Sequence, residues 1–210
     1  MLRITALLTL FFIVSIVSSA QIINVQSGLS YSYIDSKVGG RNTNFLGFTR
    51  TDLSLFGGVE YLNKKYFSVS SNVGFIRRGG EEPVFYTDNS GNILSTGTLK
   101  QRFDFLSINS TFNLKYPIKE KLIPYLSLGP RIDLMTAHDH TFAYFDYDGF
   151  LKKRIYGMVV AAGLRYRISK LLLGLRYDHL VDFNVLATDG LETNAAKTHL
   201  VSITLGYSLK

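Results

Sequence analysis

The stretch "MVVAAGLRYRISKLLLGLRYDHL", residues 158–180, decides the fold class. It is apolar enough for a membrane segment, yet it contains Arg165, Arg167, Arg176 and Asp178. In a helix, at about 100° per residue, these charges would occupy nearly opposite faces, and each would cost about 2.5–3.5 kcal/mol at a membrane-helix centre. In a strand, all four lie on one face and the apolar residues on the other. The stretch therefore predicts a β-hairpin with an "SK" turn at 169–170.

The same alternation recurs along the chain and predicts eight strands. Its runs cover 23–33, 53–61, 67–75, 106–116, 126–134, 158–166, 171–177 and 201–209. With their flanks, the runs last about 9–13 residues, longer than the roughly 5–6 of a soluble strand and close to the 9–11 that cross a tilted bilayer path. The length favours strands that span a membrane.

The connections between these strands alternate in length. Short links fall at 63–65, 117–121 and 169–170, and long ones at 35–49, 79–100, 137–153 and 182–197. An even strand number with short turns at one end and long loops at the other is typical of bacterial outer-membrane barrels. We therefore expect an all-β fold: an eight-stranded antiparallel transmembrane β-barrel, an up-and-down meander with short periplasmic turns, long extracellular loops and both mature termini periplasmic.

The two faces of the predicted strands distinguish this barrel from a soluble, lipocalin-like one. Outward-facing aromatic residues collect at both strand ends, as lipid interfaces favour. The opposite face carries mostly Ser, Gly and Asn with a few charges. A soluble barrel would expose that face to water and would carry more Lys and Glu there. Small polar residues instead fit the packed interior of a narrow membrane barrel.

The N-terminus predicts export. Residues 1–20 combine a basic residue, an apolar run and a small-residue ending, which indicates a cleaved signal peptide followed by a single barrel domain at 21–210. The chain has no Cys, so disulfides and thiol chemistry are excluded. Its formal net charge is +7, but export and the absence of long basic runs argue against a nucleic-acid partner.

Several segments resemble the PorT-like outer-membrane β-barrel family. They are "FLSINSTFNLKY", "IPYLSLGPRIDL", "GFIRRGG" and "LLLGLRYDHLVDF", whose order along the chain matters more than any one of them. The resemblance implies the same barrel over about 21–210. The namesake of the family is implicated in type IX protein secretion, whereas most members share only the fold. The chain ends on "GYSLK" and lacks the terminal aromatic residue of many outer-membrane chains.

The charges expected to face the interior form a candidate lumen network. Its members are Glu60, Asp104, Arg131, Asp133, Arg165, Arg167, Arg176 and Asp178. Arg guanidinium groups that pair with carboxylates would make this a structural core, because side chains fill the lumen of an eight-stranded barrel. The alternative is a narrow conduction path.

No catalytic, cofactor-binding or metal site is expected. Neutral His is a common metal ligand, but His138 and His140 on a predicted loop lack a third ligand nearby in sequence. His179 is expected at the lipid interface. Lipid-modifying barrels place Ser, His and a carboxylate at the outer rim, but no G-x-S-x-G motif occurs here. The sequence therefore predicts a non-enzymatic role, with an outer-membrane lipid-modifying enzyme as the alternative.

The long loop at 137–153 predicts an interaction surface. Asp148-Gly149 suits a hairpin turn, and aromatic residues surround it: Phe142, Tyr144, Phe145, Tyr147 and Phe150. These rings could dock a partner, or pack on neighbouring loops or lipopolysaccharide. The sequence thus predicts a structural or interaction barrel that contacts outer-membrane lipid and lipopolysaccharide and could be a small subunit of a larger envelope or secretion complex.

Overall fold

A computed structural model describes residues 21–38, 41–43, 47–119, 121–140, 151–188 and 192–209. Ten strands make up the fold there: β1 Ile22–Val38, β2 Arg41–Thr43, β3 Phe48–Tyr61, β4 Phe67–Thr87, β5 Ile93–Lys115, β6 Leu122–His140, β7 Arg154–Ile168, β8 Leu171–Asp182, β9 Ala187–Thr188 and β10 Glu192–Ser208. In these ranges no helix is long and apolar enough to cross a membrane. The expected signal peptide and loop aromatics, Phe142, Tyr144, Phe145, Tyr147 and Phe150, lie outside the described residues.

The eight long strands close into a ring. Each pairs antiparallel with its neighbours in chain order, and β1 pairs with β10 from Ile22↔Ser208 to Val38↔Glu192 to seal the sheet. The short strands β2 and β9 pair antiparallel with the long-loop ends of β1 and β10. The predicted eight-stranded up-and-down barrel is confirmed. Closure leaves no open sheet edge along the barrel wall.

Alternation of burial along each strand separates an apolar outside from a polar inside. On β8, Leu175 is 61% exposed, whereas the next residue, Arg176, is 6% exposed. The two residues differ because successive side chains of a strand point to opposite faces. The same pattern exposes large apolar side chains on the outside of all eight long strands and buries Ser, Thr and Asn within. This inside-out pattern is that of a transmembrane barrel.

The three short connections are tight because each uses one left-handed residue. These are Leu62 with φ 52°, Lys119 with φ 49° and Ser169 with φ 55°. Left-handed backbone is uncommon outside glycine, so the chain accepts some local strain to reverse direction within few residues. The turns fix the short-turn end of the barrel, where both Gln21 and Leu209 also lie, joined by a backbone hydrogen bond of 2.9 Å.

Strands β4 and β5 form a ribbon that continues beyond their described pairing with β3 and β6. Pairing of β3 with β4 ends at Phe48↔Glu81, and pairing of β5 with β6 ends at Gln101↔His140. Beyond these points, and among the residues that the structure describes, Glu82–Thr87 and Ile93–Leu99 pair with each other. The segment 79–100, expected as a long connection with two short extended runs around a Gly-containing turn at 84–96, is mostly strand. Its exposed apolar side chains include Phe85, Tyr86, Ile93 and Leu94.

Candidate functional site

A four-membered ionic cluster fills the interior near the long-loop end. Arg78, fully buried, donates to Asp133 at 3.1 Å and to Asp182 at 2.5 Å. Arg131 completes the cluster by pairing with Asp133 at 2.9 Å and with Asp182. Two cations and two anions therefore balance inside the wall. We call these four residues the upper cluster.

Further contacts hold Arg78 in place. Its Nε donates to the Thr198 hydroxyl at 2.8 Å, and its Nη2 also donates to the Ala196 carbonyl at 3.0 Å. Its guanidinium carbon lies 5.6 Å from the centre of the Phe105 ring. The Arg78 guanidinium thus donates hydrogen bonds to acceptors on three other strands, β6, β8 and β10. Such a satisfied arginine fixes the positions of those strands, since an unpaired buried charge is very costly.

A second ion pair lies further into the barrel. Arg176 donates from Nε to Asp178 Oδ1 at 2.7 Å, and Gln26 of β1 donates to the other carboxylate oxygen at 3.2 Å. Because Arg176 and Asp178 are two residues apart on β8, they share one face, as the alternation predicts. Gln26 links this pair across the seam to β1.

A third cluster lies near the short-turn end, around the buried Glu60. This carboxylate accepts from Arg165 Nη1 at 2.6 Å and from Lys115 Nζ at 3.4 Å. The guanidinium carbon of Arg165 lies 4.5 Å from the centre of the Tyr125 ring. Gly163, opposite Tyr125 on β7, leaves room for that ring, because a Cβ at Gly163 would overlap it. We call Glu60, Lys115 and Arg165 the lower cluster.

Uncharged side chains fill the space between these clusters. Asn72 donates to Asn109 at 2.9 Å, and a chain of hydrogen bonds joins Ser68, Ser70, Thr111, Asn113 and Ser127. Two internal cavities, one beside Arg165 and one beside Arg131, each offer about 10 Å³. That is room for about one water molecule. The described interior is thus filled by side chains, most of whose polar groups are paired; the buried Ser107 and Tyr125 hydroxyls make no hydrogen bond.

The structure places most, but not all, of the predicted lumen residues in the interior. Six members lie in the interior: Glu60, Arg131, Asp133, Arg165, Arg176 and Asp178. Arg167 is exposed instead, at the open mouth of the short-turn end. The prediction for Asp104 is wrong, because Asp104 shares the outer face with Leu106 while its neighbours Phe103 and Phe105 fill the interior. The sequence interpretation also missed Arg78, Lys115 and Asp182.

Asp104 belongs to an ionic cluster at the long-loop end of β3–β6. Its members on β4–β6 lie on the outer face, whereas Arg50 and Asp52 of β3 lie opposite Ser32 and Ser30 of β1. The Asp104 carboxylate accepts from Arg77 Nε at 2.7 Å, directly across from it on β4. Arg50 pairs with Asp52 at 2.6 Å on the neighbouring strand. Weaker pairs between 3.7 and 3.8 Å connect Arg50 and Lys100 to Glu81, and Arg102 to Asp104 and Asp139. We call these eight residues the outer-wall cluster: Arg50, Asp52, Arg77, Glu81, Lys100, Arg102, Asp104 and Asp139.

The histidines occupy two places. His138 lies on β6 near the long-loop end, where no group of three His, Cys, Asp or Glu that could hold a metal ion occurs among the described residues. His179 lies on the outer face, as expected, but it pairs with His199, and Tyr177 joins them. The predicted lone interfacial histidine is therefore part of a three-residue contact.

Comparison with known proteins finds solved structures of similar fold but no matching family model or curated protein. The resemblance to PorT-like barrels therefore stays a prediction.

Solved structures of small outer-membrane barrels are similar in fold. OprG from Pseudomonas aeruginosa is 14% identical, with a TM-score of 0.49 over 90% of this chain and 96% of OprG. Neisserial surface protein A is 11% identical, with a TM-score of 0.48 over 89% of this chain and 97% of its own. Ail of Yersinia pestis is 10% identical, with a TM-score of 0.40 over 89% of this chain and 98% of its own. These likenesses concern the fold alone.

Proposed function

We propose that this protein is an integral, non-enzymatic protein of the bacterial outer membrane whose closed barrel anchors an interaction surface outside the cell. The observation that carries the proposal is an apolar outer band around an interior filled by ion pairs, which suits a rigid anchor better than a pore. The long-loop end would then face outward and the short turns would face the periplasm.

The outer-wall cluster supports contact with lipopolysaccharide. Arginine and lysine bind phosphate strongly, and Arg102 and Lys100 of this cluster remain one-third and one-half exposed. The cluster follows directly above exposed apolar residues such as Phe75 and Leu106 on the same strands. Charged groups at that level can reach the phosphates of the outer leaflet while the apolar band meets acyl chains.

The β4–β5 ribbon is the partner-binding surface in this proposal. Asp88 rigidifies its tip by accepting hydrogen bonds from the amides of Ser90 and Asn92, each at 2.8 Å, and from the Asn92 side chain at 3.0 Å. The hydrogen bond from the Asn92 side chain, followed by those from backbone amides, lowers the pKa of Asp88 below its ordinary value. Exposed apolar residues on a rigid projection are a common docking feature.

Replacing the apolar side chains of the ribbon should abolish partner binding. The variant carries Phe85→Ser, Tyr86→Ser, Ile93→Ser and Leu94→Ser, and it loses the apolar area that would be buried at an interface. Cross-linking in intact cells, gentle detergent extraction and identification of co-purifying envelope or secretion proteins measure the effect. Thr96→Ser with Thr98→Ser, in the same ribbon, is the matched control. An unchanged set of partners in the fourfold variant would contradict this assignment.

A narrow channel is the alternative that the packed interior disfavours. We expect the purified protein to give no stable conductance in planar lipid bilayers, because the upper and lower clusters occupy the interior at both levels. A heat-unfolded sample of the same preparation serves as the control for contaminating porins. Long-lived, reproducible conductance from the folded sample alone would replace the anchor role with that of a channel.

A rim enzyme, the other alternative, would require a nucleophile beside a histidine. At the outer wall, His199 contacts His179 and Tyr177 rather than a serine hydroxyl. Comparing lipid A by mass spectrometry in cells with and without the protein would distinguish the two roles, since an anchor leaves the lipid unmodified.

A further inference from the structure

Three side chains converge on the outer face where β8 meets β10. His179 and His199 are directly opposite each other in the antiparallel pair, and Tyr177 precedes His179 by two residues on the same face. Nδ1 of His179 lies 3.2 Å from Nδ1 of His199, and Oη of Tyr177 lies 2.6 Å from that same nitrogen. The two imidazole rings stack with their centres 4.7 Å apart. Two nitrogens and one oxygen therefore share one small space.

Hydrogen bonding alone leaves this arrangement incompletely satisfied. A neutral imidazole nitrogen either donates one hydrogen or accepts at one lone pair. Nδ1 of His199 nevertheless faces both Tyr177 Oη and His179 Nδ1. Whichever role it takes, one lone pair or one hydrogen has to serve two partners. A cation between the three atoms would remove the conflict, because each atom would direct its own lone pair at the ion.

The spacing of the two nitrogens fits a transition metal. At the usual zinc–nitrogen distance of about 2.0–2.1 Å, nitrogens 3.2 Å apart subtend roughly 100–105° at the ion, close to a tetrahedral angle. We propose that His179, His199 and Tyr177 form a surface site for a divalent late transition-metal ion, Zn²⁺ or Cu²⁺. Both histidines bind through Nδ1 as neutral imidazoles, each with its hydrogen on Nε2. Tyr177 Oη, 2.6 Å from His199 Nδ1, would subtend only about 80° at the ion, so it moves outward from its hydrogen-bonding position to supply the oxygen.

The donor set also determines which ions the site rejects. Imidazole nitrogen suits Zn²⁺ and Cu²⁺, whereas Ca²⁺ and Mg²⁺ require several oxygen ligands. No carboxylate joins the two histidines among the described residues, since no cluster of three His, Cys, Asp or Glu occurs there. Water at the membrane interface completes the coordination, because all three side chains are partly exposed near the long-loop end of β8 and β10. The site is thus selective for nitrogen-preferring metals.

The test uses a background that retains only the two relevant histidines. The chain has four His, so His138→Ala with His140→Ala leaves His179 and His199. The protein is purified in detergent without lipopolysaccharide, stripped of metal, and titrated with ZnCl₂ by calorimetry and with Cu²⁺ by electron paramagnetic resonance. We expect saturable binding of one ion per chain, coupling of Cu²⁺ to two nitrogens, and no binding of Ca²⁺. Absence of saturable Zn²⁺ and Cu²⁺ binding would overturn the proposal.

Single substitutions in that background locate the ion. His179→Ala and His199→Ala should each weaken metal binding by at least about tenfold. Removing a residue that only supports a metal ligand already costs that much. Tyr177→Phe should also weaken it while leaving the two-nitrogen coupling unchanged. His199→Asn, which keeps a polar side chain, provides a second variant, and far-UV circular dichroism confirms folding of each. Binding in the folded His199 variants equal to the background would show that the ion sits elsewhere and reject the site.

Discussion

Replacing Arg78 by methionine should destabilise the barrel by about 3–5 kcal/mol, the cost of breaking a buried ion pair from one side. Methionine fills much of the volume of arginine, but it leaves Asp133 and Asp182, both almost fully buried, with only Arg131 for compensation. The Thr198 hydroxyl and the Ala196 carbonyl also lose their donor. Urea unfolding of the protein in lipid vesicles, followed by far-UV circular dichroism, measures the change.

The adjacent arginine provides the matched control. Arg77 lies on the outer face with a side chain 31% exposed, and Arg102 also lies 3.7 Å from Asp104, so Arg77→Met should cost clearly less than Arg78→Met. Combining Arg78→Met with Asp182→Asn should recover part of the stability, because it removes one uncompensated carboxylate. Equal losses for the two single arginine variants would contradict the assignment of Arg78 as the interior residue.

Arg77 and Arg78 show what strand alternation can and cannot predict: it predicts the face of a residue, but not where the strand ends. Alternation alone distinguishes inside from outside, and Phe75 on the outer face already implies that Arg78 points inward. Arg78 was missed because the predicted run of alternation ended at residue 75, whereas the pairing of β4 with β5 continues to Thr87. Hydrophobic pattern weakens where a strand leaves the membrane, so the upper limit of a strand is hard to predict.

Asp104 illustrates the opposite error. Its position has the same parity as Leu106 and Ile108, so alternation places its side chain on the outer face. The sequence interpretation nevertheless grouped Asp104 with the charges that were expected to face the interior. That expectation holds only within the hydrocarbon layer, and Asp104 lies where β5 pairs with the charged end of β4 at Arg77. Depth along the strand, as well as parity, therefore decides where a charge is tolerated.

Contacts between distant strands could not be predicted from alternation. Glu60 and Arg165 are 105 residues apart, and Arg78 and Thr198 are 120 apart. Each pair meets because the strands of a closed barrel are staggered, which brings residues of distant strands to the same level of the interior. The sequence alone does not give that stagger. The contact between His179 and His199 depends on strand register in the same way, which is why a sequence interpretation treats each histidine alone.

Replacing Glu60 by glutamine should destabilise the barrel by about 3 kcal/mol, at the lower end of the range for breaking a buried pair. Glutamine preserves shape and removes only the charge, so Arg165 and Lys115 would face each other without a shared counterion. The lower end is expected because Lys115 also lines the mouth at the short-turn end, a pocket of about 450 Å³ through which water can reach the cluster. Unfolding in urea under the conditions used for Arg78→Met measures the loss.

Two variants separate charge balance from local packing at this end of the barrel. Combining Glu60→Gln with Lys115→Met should be more stable than Glu60→Gln alone, because only Arg165 then remains uncompensated, and its stacking on Tyr125 persists. Lys64→Met, at the same mouth but exposed, should leave stability unchanged. If Glu60→Gln proves neutral, water hydrates the lower cluster fully. In that case the charge contribution to stability comes from the upper cluster and from the Arg176–Asp178 pair, both buried in the interior.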